Sequence, residues 1–319
     1  MNDKADAPAD EGPELTLFSP RILLPFLLVA LIWGGTWIVI RDQISSVPPT
    51  WSVCYRFTVA VIGMAVLARV RGQPFLLPRS GHVFALLIGA SQFMLNFNFV
   101  YHAERFVTSG LVATLFALLM LPNALLGRVF LGRKLEPSFF IGTAIAIGGI
   151  SLLFVQEYRA MPASGLDVLY GVLLTVGGIL SASCANVLQA AKRVQALPLL
   201  TLLAWAMFYG VLFNAAVALA TAGPPSIDPR TGYWLGILYL GLLGSVVTFP
   251  LYFGIVRAIG PGKAAYNSTL VPVVAMALST LFEGYRWSLL AGAGGVIALI
   301  GLLVAMRARP PRTPRVSAG

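Results

Sequence analysis

Charged side chains are scarce in this sequence. Asp, Glu, Lys and Arg together make up 11% of its 319 residues, whereas soluble globular proteins carry about 25%. Apolar residues make up 58%, and they fall in blocks of about 20 residues, the length of helix that crosses a hydrocarbon core of roughly 30 Å. The shortage of charge excludes a water-soluble fold and predicts an all-α membrane protein with the lipid bilayer as a partner.

Cysteine, histidine and nucleotide-binding motifs are also scarce. Cys54 and Cys184 stand alone in apolar blocks, which excludes a CxxC metal or redox pair and a disulfide framework. The two histidines, His82 and His102, and the singly scattered acids form no cluster for acid–base or metal chemistry. The sequence has no P-loop, HExxH motif or dinucleotide fingerprint. We therefore expect a protein that is not an enzyme and that uses no cofactor or metal.

Breaks such as Pro48-Pro49 and Gly223-Pro224 divide the apolar sequence into ten predicted transmembrane helices. The predicted spans are 21–41, 50–69, 82–102, 106–127, 138–155, 167–188, 197–220, 232–255, 263–282 and 287–306. Residues 1–20 are predicted to be a disordered tail without the basic segment of a signal peptide, and residues 307–319 a basic tail. The chain is therefore expected to be a multi-pass helical bundle with two polar tails.

The distribution of positive charge predicts the orientation of the bundle. The net charge of +10 is spread over short loops and a tail instead of one basic face, so nucleic acid is not an expected partner. Sixteen of the 22 Lys and Arg fall on one side of the predicted membrane. The opposite side holds Arg41, Arg105, Arg159, Arg230 and Arg286. Because Lys and Arg are retained on the cytoplasmic side, both termini are predicted to be cytoplasmic, in the inner membrane of a bacterium.

A shift of 150 residues aligns parts of the two halves of the sequence. It places Gly110 on Gly260, Pro122 on Pro272, and Gly142 on Gly292. We therefore predict two related five-helix units, residues 21–155 and 156–306. Because five is odd, the second unit would cross the membrane in the opposite sense, an inverted repeat that favours an alternating-access transporter. Small residues at 142–149 and 291–295 are expected to let helices approach closely.

Several short motifs resemble the repeat of the drug/metabolite transporter superfamily, EamA type. They are Leu31-Ile-Trp-Gly-Gly-Thr-Trp37, Tyr55-Arg-Phe57, Leu121-Pro122, Phe130-Leu-Gly-Arg-Lys-Leu135 and the small-residue helix from Ile141-Gly142. The chain looks most like the bacterial exporters of aromatic amino acids in that superfamily. This resemblance implies ten helices in two inverted repeats and an amino acid as small-molecule substrate. The family's usual Gly-Glu reads Gly132-Arg133 here, with Glu283 at the repeat position, so no role is assigned to an acid in the first half.

Arg56 is the one charged side chain predicted to lie well inside a span. At a helix centre an arginine costs roughly 2.5–3.5 kcal/mol on insertion scales, and such residues often serve function. We interpret it as an anchor for an anionic group such as a substrate carboxylate. The alternative is that Arg56 extends to the membrane surface or pairs with Asp42 or Glu104.

A polar stripe is predicted on the third span. Asn98, Tyr101, His102 and Arg105 are spaced i, i+3, i+4 and i+7, and they therefore share one helical face. A stripe of this kind avoids lipid, so we expect it to line a water-filled cavity at the depth of Arg56. Hydrogen bonds between helices would satisfy the same side chains without any ligand.

Aromatic residues form two further candidate surfaces. Trp33 and Trp37 share a face of the first span with Thr36, and Trp205 shares a face of the seventh with Tyr209. Trp33 and Trp205 are predicted near mid-membrane, where an interfacial aromatic belt does not explain them. They are candidates for a cage around an aromatic or cationic group, and core or lipid packing is the alternative.

Two prolines at repeat-related positions are candidate hinges. Pro122 and Pro272 each remove a helix hydrogen bond, and Asn267 lies just before the second. These helices either bend during gating or hold static kinks that polar side chains satisfy. Asn186 and Tyr252 lie nearer the cytoplasmic side and are candidates for substrate binding at an inner gate, and Asn267 is a further candidate for substrate binding.

Three functions are compatible with these features. Alternating-access export of amino acids with aromatic or apolar side chains is the first, and the sequence leaves the oligomeric state open, a monomer included. Proton-coupled efflux of lipophilic cations is the second, but it lacks a carboxylate inside the spans. A membrane enzyme acting on a lipid-linked substrate is a remote third.

Overall fold

The computed structural model describes residues 17–133, 135, 137–160, 165–282 and 288–306, and all regular elements among them are helices. The long helices are α1 (Pro20–Gln43), α2 (Pro49–Val70), α3 (Arg79–Ala103), α4 (Ser109–Leu131), α5 (Pro137–Ala160), α6 (Gly165–Ala190), α7 (Leu199–Ala222), α8 (Thr231–Ile259), α9 (Asn267–Phe282) and α10 (Leu289–Met306). Two single-turn helices, Lys192–Gln195 and Pro261–Ala264, lie in connections. The prediction of an all-helical fold is confirmed.

Eight of these helices, α1 to α8, are long and apolar enough to cross a bilayer. The described parts of α9 and α10 comprise 16 and 18 residues. Helix ends lie within about five residues of the predicted spans. The count of ten spans and the cytoplasmic position of the termini stay predictions. Of the two tails, the described residues include only residues 17–20. Glu283 and Arg286 also lie outside the described residues. The end of the bundle that carries the predicted cytoplasmic connections is called the inner end below.

Proline and glycine mark the helix ends for stereochemical reasons. The helices α1, α2 and α5 begin with Pro20, Pro49 and Pro137, where the missing N–H would have no partner within the helix. After α4 the backbone turns at Gly132, with a φ of 63° that only glycine adopts readily. The breaks read from the sequence therefore coincide with the ends of the helices.

Three long helices contain a segment that departs from α geometry. Residues Gly89–Asn96 of α3 and Leu242–Val247 of α8 are π-helical, and Ala117–Leu119 of α4 is a 3₁₀ turn. A shift of 150 residues brings the two π-helical segments into overlap. A π-helical turn disturbs the usual ladder of backbone hydrogen bonds, and both segments lie beside the cavity described below.

Helices five places apart in the chain make equivalent contacts. The helix α1 packs against α8 and α9, whereas α6 packs against α3 and α4. The helix α2 packs against α7, and α5 packs extensively against α10. Two copies of a five-helix unit are expected to pack in this way.

Small residues bring the backbones of α5 and α10 together. A Cβ atom added to Gly149 would lie 2.3 Å from the backbone nitrogen of Ala298, and one added to Gly301 would lie 2.3 Å from that of Ala146. Only glycine leaves room for this approach, which increases van der Waals contact between membrane helices. The close approach predicted from the small residues is confirmed.

An ionic cluster joins two loops at the end opposite the inner end. Arg230 contacts Asp228 at 2.8 Å and Asp42 at 3.0 Å, and Ser46 donates a hydrogen bond to Asp228. The bonds from Arg230 and Ser46 hold the pKa of Asp228 well below its usual value. The cluster therefore ties the α1–α2 connection to the α7–α8 connection.

We expect Asp228→Asn to lower the Tm at neutral pH. Because the folded-state pKa of Asp228 is depressed, its stabilising effect is present above the usual aspartate pKa of about 3.9 and is lost as the pH falls below it. The difference in Tm between variant and unaltered protein should thus shrink in acid. Asp42→Asn, which removes one exposed ion pair, is the control and should have little effect. A difference in Tm that does not change with pH would contradict the assignment.

Candidate functional site

A central cavity of about 90 Å³ lies among α1, α2, α3, α4, α6, α8 and α9. Its aromatic lining consists of Trp33, Trp37, Phe97, Phe116, Phe249 and Tyr252. Its polar lining consists of Thr36, Arg56, Gln92, Asn96, Asn186 and Ser268. A mainly apolar cavity with a few convergent polar groups is typical of a small-molecule site.

Arg56 of α2 provides the positive charge of this cavity. Its side chain is 1% exposed. Its guanidinium donates to the hydroxyl of Ser245 at 3.2 Å and to the carbonyl oxygen of Gly244 at 3.2 Å. The guanidinium also lies 4.4 Å from the ring centroid of Phe97, a cation–π contact. Arg56 is therefore held inside the bundle and does not extend to the membrane surface, which corrects that alternative.

Neither predicted carboxylate partner neutralises Arg56. Asp42 pairs with Arg230, and Glu104 accepts a hydrogen bond from Ser109 at 2.7 Å. Burial also raises the pKa of Glu104 to about 8, which disfavours its charged form. No carboxylate among the described residues forms an ion pair with Arg56, so its guanidinium lines the cavity without a counterion from the described part of the chain.

The π-helical segment of α8 supports both Arg56 and Trp33. The carbonyl oxygen of Gly244 accepts from Arg56, from Trp33 Nε1 at 3.3 Å and from Thr248 Oγ1 at 2.8 Å. Trp33 also donates to Thr248 Oγ1 at 3.0 Å, and its ring lies 5.0 Å from that of Tyr252. One backbone carbonyl therefore positions a cation and an aromatic ring side by side.

Two amide side chains of α3 line the same cavity as Arg56. Gln92 donates to Asn96 at 3.2 Å, and Asn96 donates to the carbonyl oxygen of Gly178 on α6 at 2.9 Å. Both amides belong to the π-helical segment of α3. Neither residue is among those predicted from the sequence, because the predicted stripe follows the face of Asn98 and His102, and Gln92 and Asn96 lie on another face of α3.

A layer of buried polar contacts separates the cavity from the inner end. Asn186 contacts Asn123 at 3.3 Å and Tyr252 at 3.2 Å. Nearer the inner end, Arg257 donates to Gln189 at 3.0 Å and to the carbonyl oxygen of Leu197 at 3.1 Å. The predicted gate residues Asn186 and Tyr252 therefore lie together at the inner wall of the cavity.

The predicted polar stripe of α3 does not form one cavity wall. Tyr101 is fully buried behind Arg56, which donates to its hydroxyl at 3.5 Å, and Tyr101 in turn donates to Gln43 at 3.3 Å. Asn98 turns towards α7 and bonds Asn214, and His102 contacts the carbonyl oxygen of Asn98 at 2.8 Å. Tyr101 and Asn98 therefore bond to neighbouring helices and His102 bonds within α3, whereas the cavity face of α3 passes through Asn96, Phe97 and Val100.

Trp205, Tyr209 and Asn267 also lie apart from the cavity. Trp205 Nε1 donates to the carbonyl oxygen of Phe75 in the α2–α3 connection at 2.9 Å, so Trp205 is near the inner boundary and not at mid-membrane. The hydroxyl of Tyr209 contacts His82 Nδ1 at 3.0 Å. Asn267 donates to the carbonyl oxygen of Phe26 and joins α9 to α1. Each of these residues contacts a neighbouring segment of the chain.

The two candidate hinge prolines occupy different local structures. Pro122 lies in the first turn after the 3₁₀ segment of α4, whereas Pro272 lies inside α9. Pro272 has no N–H to donate to the carbonyl oxygen of Ser268, and Ser268 lines the cavity. The irregular backbone of both helices is therefore adjacent to the candidate site.

Comparison with known proteins associates this arrangement with transport. The sequence model of the EamA-like transporter family matches residues 21–155 and again residues 169–307. A crystal structure of a protein that is 18% identical superposes with a TM-score of 0.71, covering 88% of this chain and 95% of that chain. This structural superposition concerns the fold alone.

Several curated bacterial proteins are similar along most of their length. PagO of Salmonella typhimurium is 25% identical over 84% of this chain and 86% of PagO. YedA of Escherichia coli K12, named an uncharacterized inner membrane transporter, is 29% identical over 90% of this chain and 92% of YedA. A Salmonella typhimurium protein named a probable amino-acid metabolite efflux pump is 26% identical over 91% of this chain and 97% of that protein.

Proposed function

This chain belongs to the EamA-like transporter family, and we propose that it exports amino acids with aromatic or other apolar side chains through the cavity around Arg56. The chain is a multi-pass protein of the inner membrane, as similar proteins are. The name of the probable amino-acid metabolite efflux pump supports an amino-acid substrate. The residues that line the cavity give the chemical reasons for an amino-acid substrate.

The uncompensated charge of Arg56 carries this proposal. A guanidinium without a counterion in a membrane interior is unfavourable unless an anionic group comes to it. Arg56 uses three hydrogen bonds to protein groups and lines the cavity, whereas a guanidinium has five N–H donors. Trp37 lines the same cavity, and its Nε1 has no hydrogen-bond partner among the described residues. A substrate carboxylate would satisfy both groups.

The aromatic lining suits the side chain of such a substrate. The ring centroid of Trp33 lies 5.6 Å from that of Phe249 and 5.0 Å from that of Tyr252, a spacing at which aromatic groups interact favourably. Efflux of lipophilic cations fits this cavity poorly, because none of the described residues that line it is Asp or Glu. A cation would instead meet the positive charge of Arg56.

Alternating access of two inverted five-helix units is the mechanism we propose. The two separate matches to the family model and the equivalent packing of helices five places apart support this mechanism. In the described structure, polar contacts of Asn186 and Arg257 lie between the cavity and the inner end. Uptake of substrate from the cytoplasm would require these contacts to open.

We expect purified protein in liposomes to take up radiolabelled phenylalanine and tyrosine with saturable kinetics. Ethidium, tested with and without a pH gradient, should show no uptake above that of protein-free liposomes, because the cavity carries a positive charge. Ethidium uptake that needs a proton gradient, without amino-acid uptake, would replace this proposal by cation efflux.

A further inference from the structure

The side-chain amides of Asn123 and Asn186 form a chain of hydrogen bonds, called the relay below, at the inner wall of the cavity. The carbonyl oxygen of Pro261 determines which amide group donates and which accepts along this chain. Asn123 Nδ2 donates to the carbonyl oxygen of Pro261 at 3.1 Å. Because a carbonyl oxygen only accepts, the NH₂ group of Asn123 faces Pro261 and its Oδ1 faces Asn186. Asn186 therefore presents its own Nδ2 to Asn123 at 3.3 Å and to the hydroxyl of Tyr252 at 3.2 Å.

This order leaves one acceptor open at the cavity end of the relay. Asn186 is 1% exposed and lines the cavity, and its Oδ1 has no hydrogen-bond partner among the described residues. Buried carbonyl oxygens are normally paired, so an unpaired one needs an explanation. A ligand in the cavity that carries an O–H or N–H donor would supply the missing bond.

The open acceptor is distant from the charge of Arg56. Arg56 bonds the carbonyl oxygen of Gly244, and Asn186 bonds the hydroxyl of Tyr252. Arg56 lies seven residues from the start of α2, at the end of the bundle opposite the inner end, and Asn186 lies four residues before the inner end of α6, so the two side chains enter the cavity at different depths. An ammonium group attached to the same carbon as the carboxylate cannot span that separation. The donor for Asn186 must therefore be at the opposite end of the substrate from its carboxylate.

Resting on the proposed amino-acid transport, we infer that Asn186 Oδ1 accepts a hydrogen bond from a donor on the ring of an aromatic amino acid, the phenol O–H of tyrosine or the indole N–H of tryptophan. Arg56 holds the carboxylate at the other end of the cavity. Trp33 and Phe249 line the cavity between these polar ends and contact the ring. Asn186 thus makes the site selective among aromatic substrates.

The inference is tested by comparing tyrosine with phenylalanine and 4-fluorophenylalanine, two analogues that lack the phenol O–H group of tyrosine. The unaltered protein in liposomes should transport tyrosine with a kcat/KM roughly tenfold above that of the two analogues, because only tyrosine satisfies Asn186. Asn186→Leu also removes the bonds to Asn123 and Tyr252, so both rates can change, but the ratio of kcat/KM for tyrosine to that for phenylalanine should fall to about one because neither substrate then finds an acceptor.

Two further variants separate binding from structural support. In Asn186→Asp a protonated carboxyl donates its O–H to Asn123 and keeps its C=O in the cavity, so the preference for tyrosine should remain. Asn214→Leu removes a buried amide that bonds Asn98 outside the cavity, so both rates should change by the same factor. A merely structural Asn186 would give that same result in Asn186→Leu.

The shift in Tm when an amino acid binds to the unaltered protein tests the inference without relying on a variant that folds. Tyrosine should raise the Tm more than phenylalanine does at equal concentration. Equal shifts, equal kcat/KM values or an unchanged ratio in Asn186→Leu would overturn the role of Asn186 and leave amino-acid transport standing. Absence of flux for all three amino acids would contradict the proposed function, and with it this inference.

Discussion

Replacement of Arg56 by methionine is expected to abolish amino-acid flux, with a fall in kcat/KM of at least roughly a hundredfold. Removing one partner of a buried, hydrogen-bonded charge pair costs about 2–5 kcal/mol, and here the lost partner is the anchor of the substrate carboxylate. Arg56→Lys should recover only part of the flux. An ammonium is a point charge and does not reproduce the planar fork that reaches Gly244 and Ser245.

The same substitution should leave the fold intact. Replacing a buried charge by an apolar side chain of similar size is often neutral or stabilising. The carbonyl oxygen of Gly244 keeps its bonds from Trp33 and Thr248 in the variant. We therefore expect the Tm of Arg56→Met to equal or exceed that of the unaltered protein.

Tyramine, which is tyrosine without its carboxylate, provides the control for this experiment. Tyramine is a cation without a carboxylate, so its uptake should be equal or higher in Arg56→Met, which lacks the guanidinium that repels it. Amino-acid flux that survives the substitution would show that Arg56 is not the carboxylate anchor. A parallel loss of flux for tyrosine and tyramine would point to a structural role.

Gly149→Ala is expected to lower the Tm strongly, although it adds only one methyl group. The new Cβ atom would lie 2.3 Å from the backbone nitrogen of Ala298 and 2.6 Å from the carbonyl oxygen of Gly294. These atoms belong to the backbone of α10 and cannot rotate away, so α5 and α10 must separate along their main contact. Overpacking of this kind costs about 1–3 kcal/mol or more, and a bulkier Gly149→Leu should prevent folding.

The neighbouring glycine offers a matched control. A Cβ atom at Gly148 meets nothing within 4 Å, so Gly148→Ala should be tolerated, since alanine has the higher helix propensity by about 1 kcal/mol. Thermal unfolding of both variants in detergent measures the difference. Equal Tm values for Gly148→Ala and Gly149→Ala would mean that the α5–α10 contact does not limit stability.

The positions of the helices could be predicted from the sequence because the bilayer constrains helix length and hydropathy locally. Each apolar block must form its own backbone hydrogen bonds, so the helix ends follow from proline, glycine and charge without knowledge of the packing. Arg56 could be identified for a similar reason, since one charge inside an apolar block is conspicuous. Glycine and alanine at short intervals also predict that α5 and α10 approach other helices closely, although they do not identify the partner of either helix.

Some residues that the sequence assigns to the cavity lie elsewhere in the structure, and they show where reasoning from local sequence pattern fails. The cavity face of α3 passes through Gln92, Asn96 and Val100, whereas Asn98 and His102 lie on another face of the same helix. The position of Trp205 in its span predicts mid-membrane depth, yet its indole bonds Phe75 in a connection at the inner end. Helical periodicity identifies the residues that share a face, but it does not show which face turns towards the cavity or which loop a side chain meets.

The composition and the local sequence pattern alone establish that this protein is an α-helical membrane protein with a repeated pattern, and that Arg56 lies in an apolar segment. They suffice because the cost of exposing polar groups to lipid acts on each segment separately. The packing of the helices was needed to show which groups meet Arg56, which carboxylates do not, and that Asn186 faces the cavity with an open acceptor. These contacts join residues that are far apart in the chain, so they depend on how the helices pack and rotate against one another.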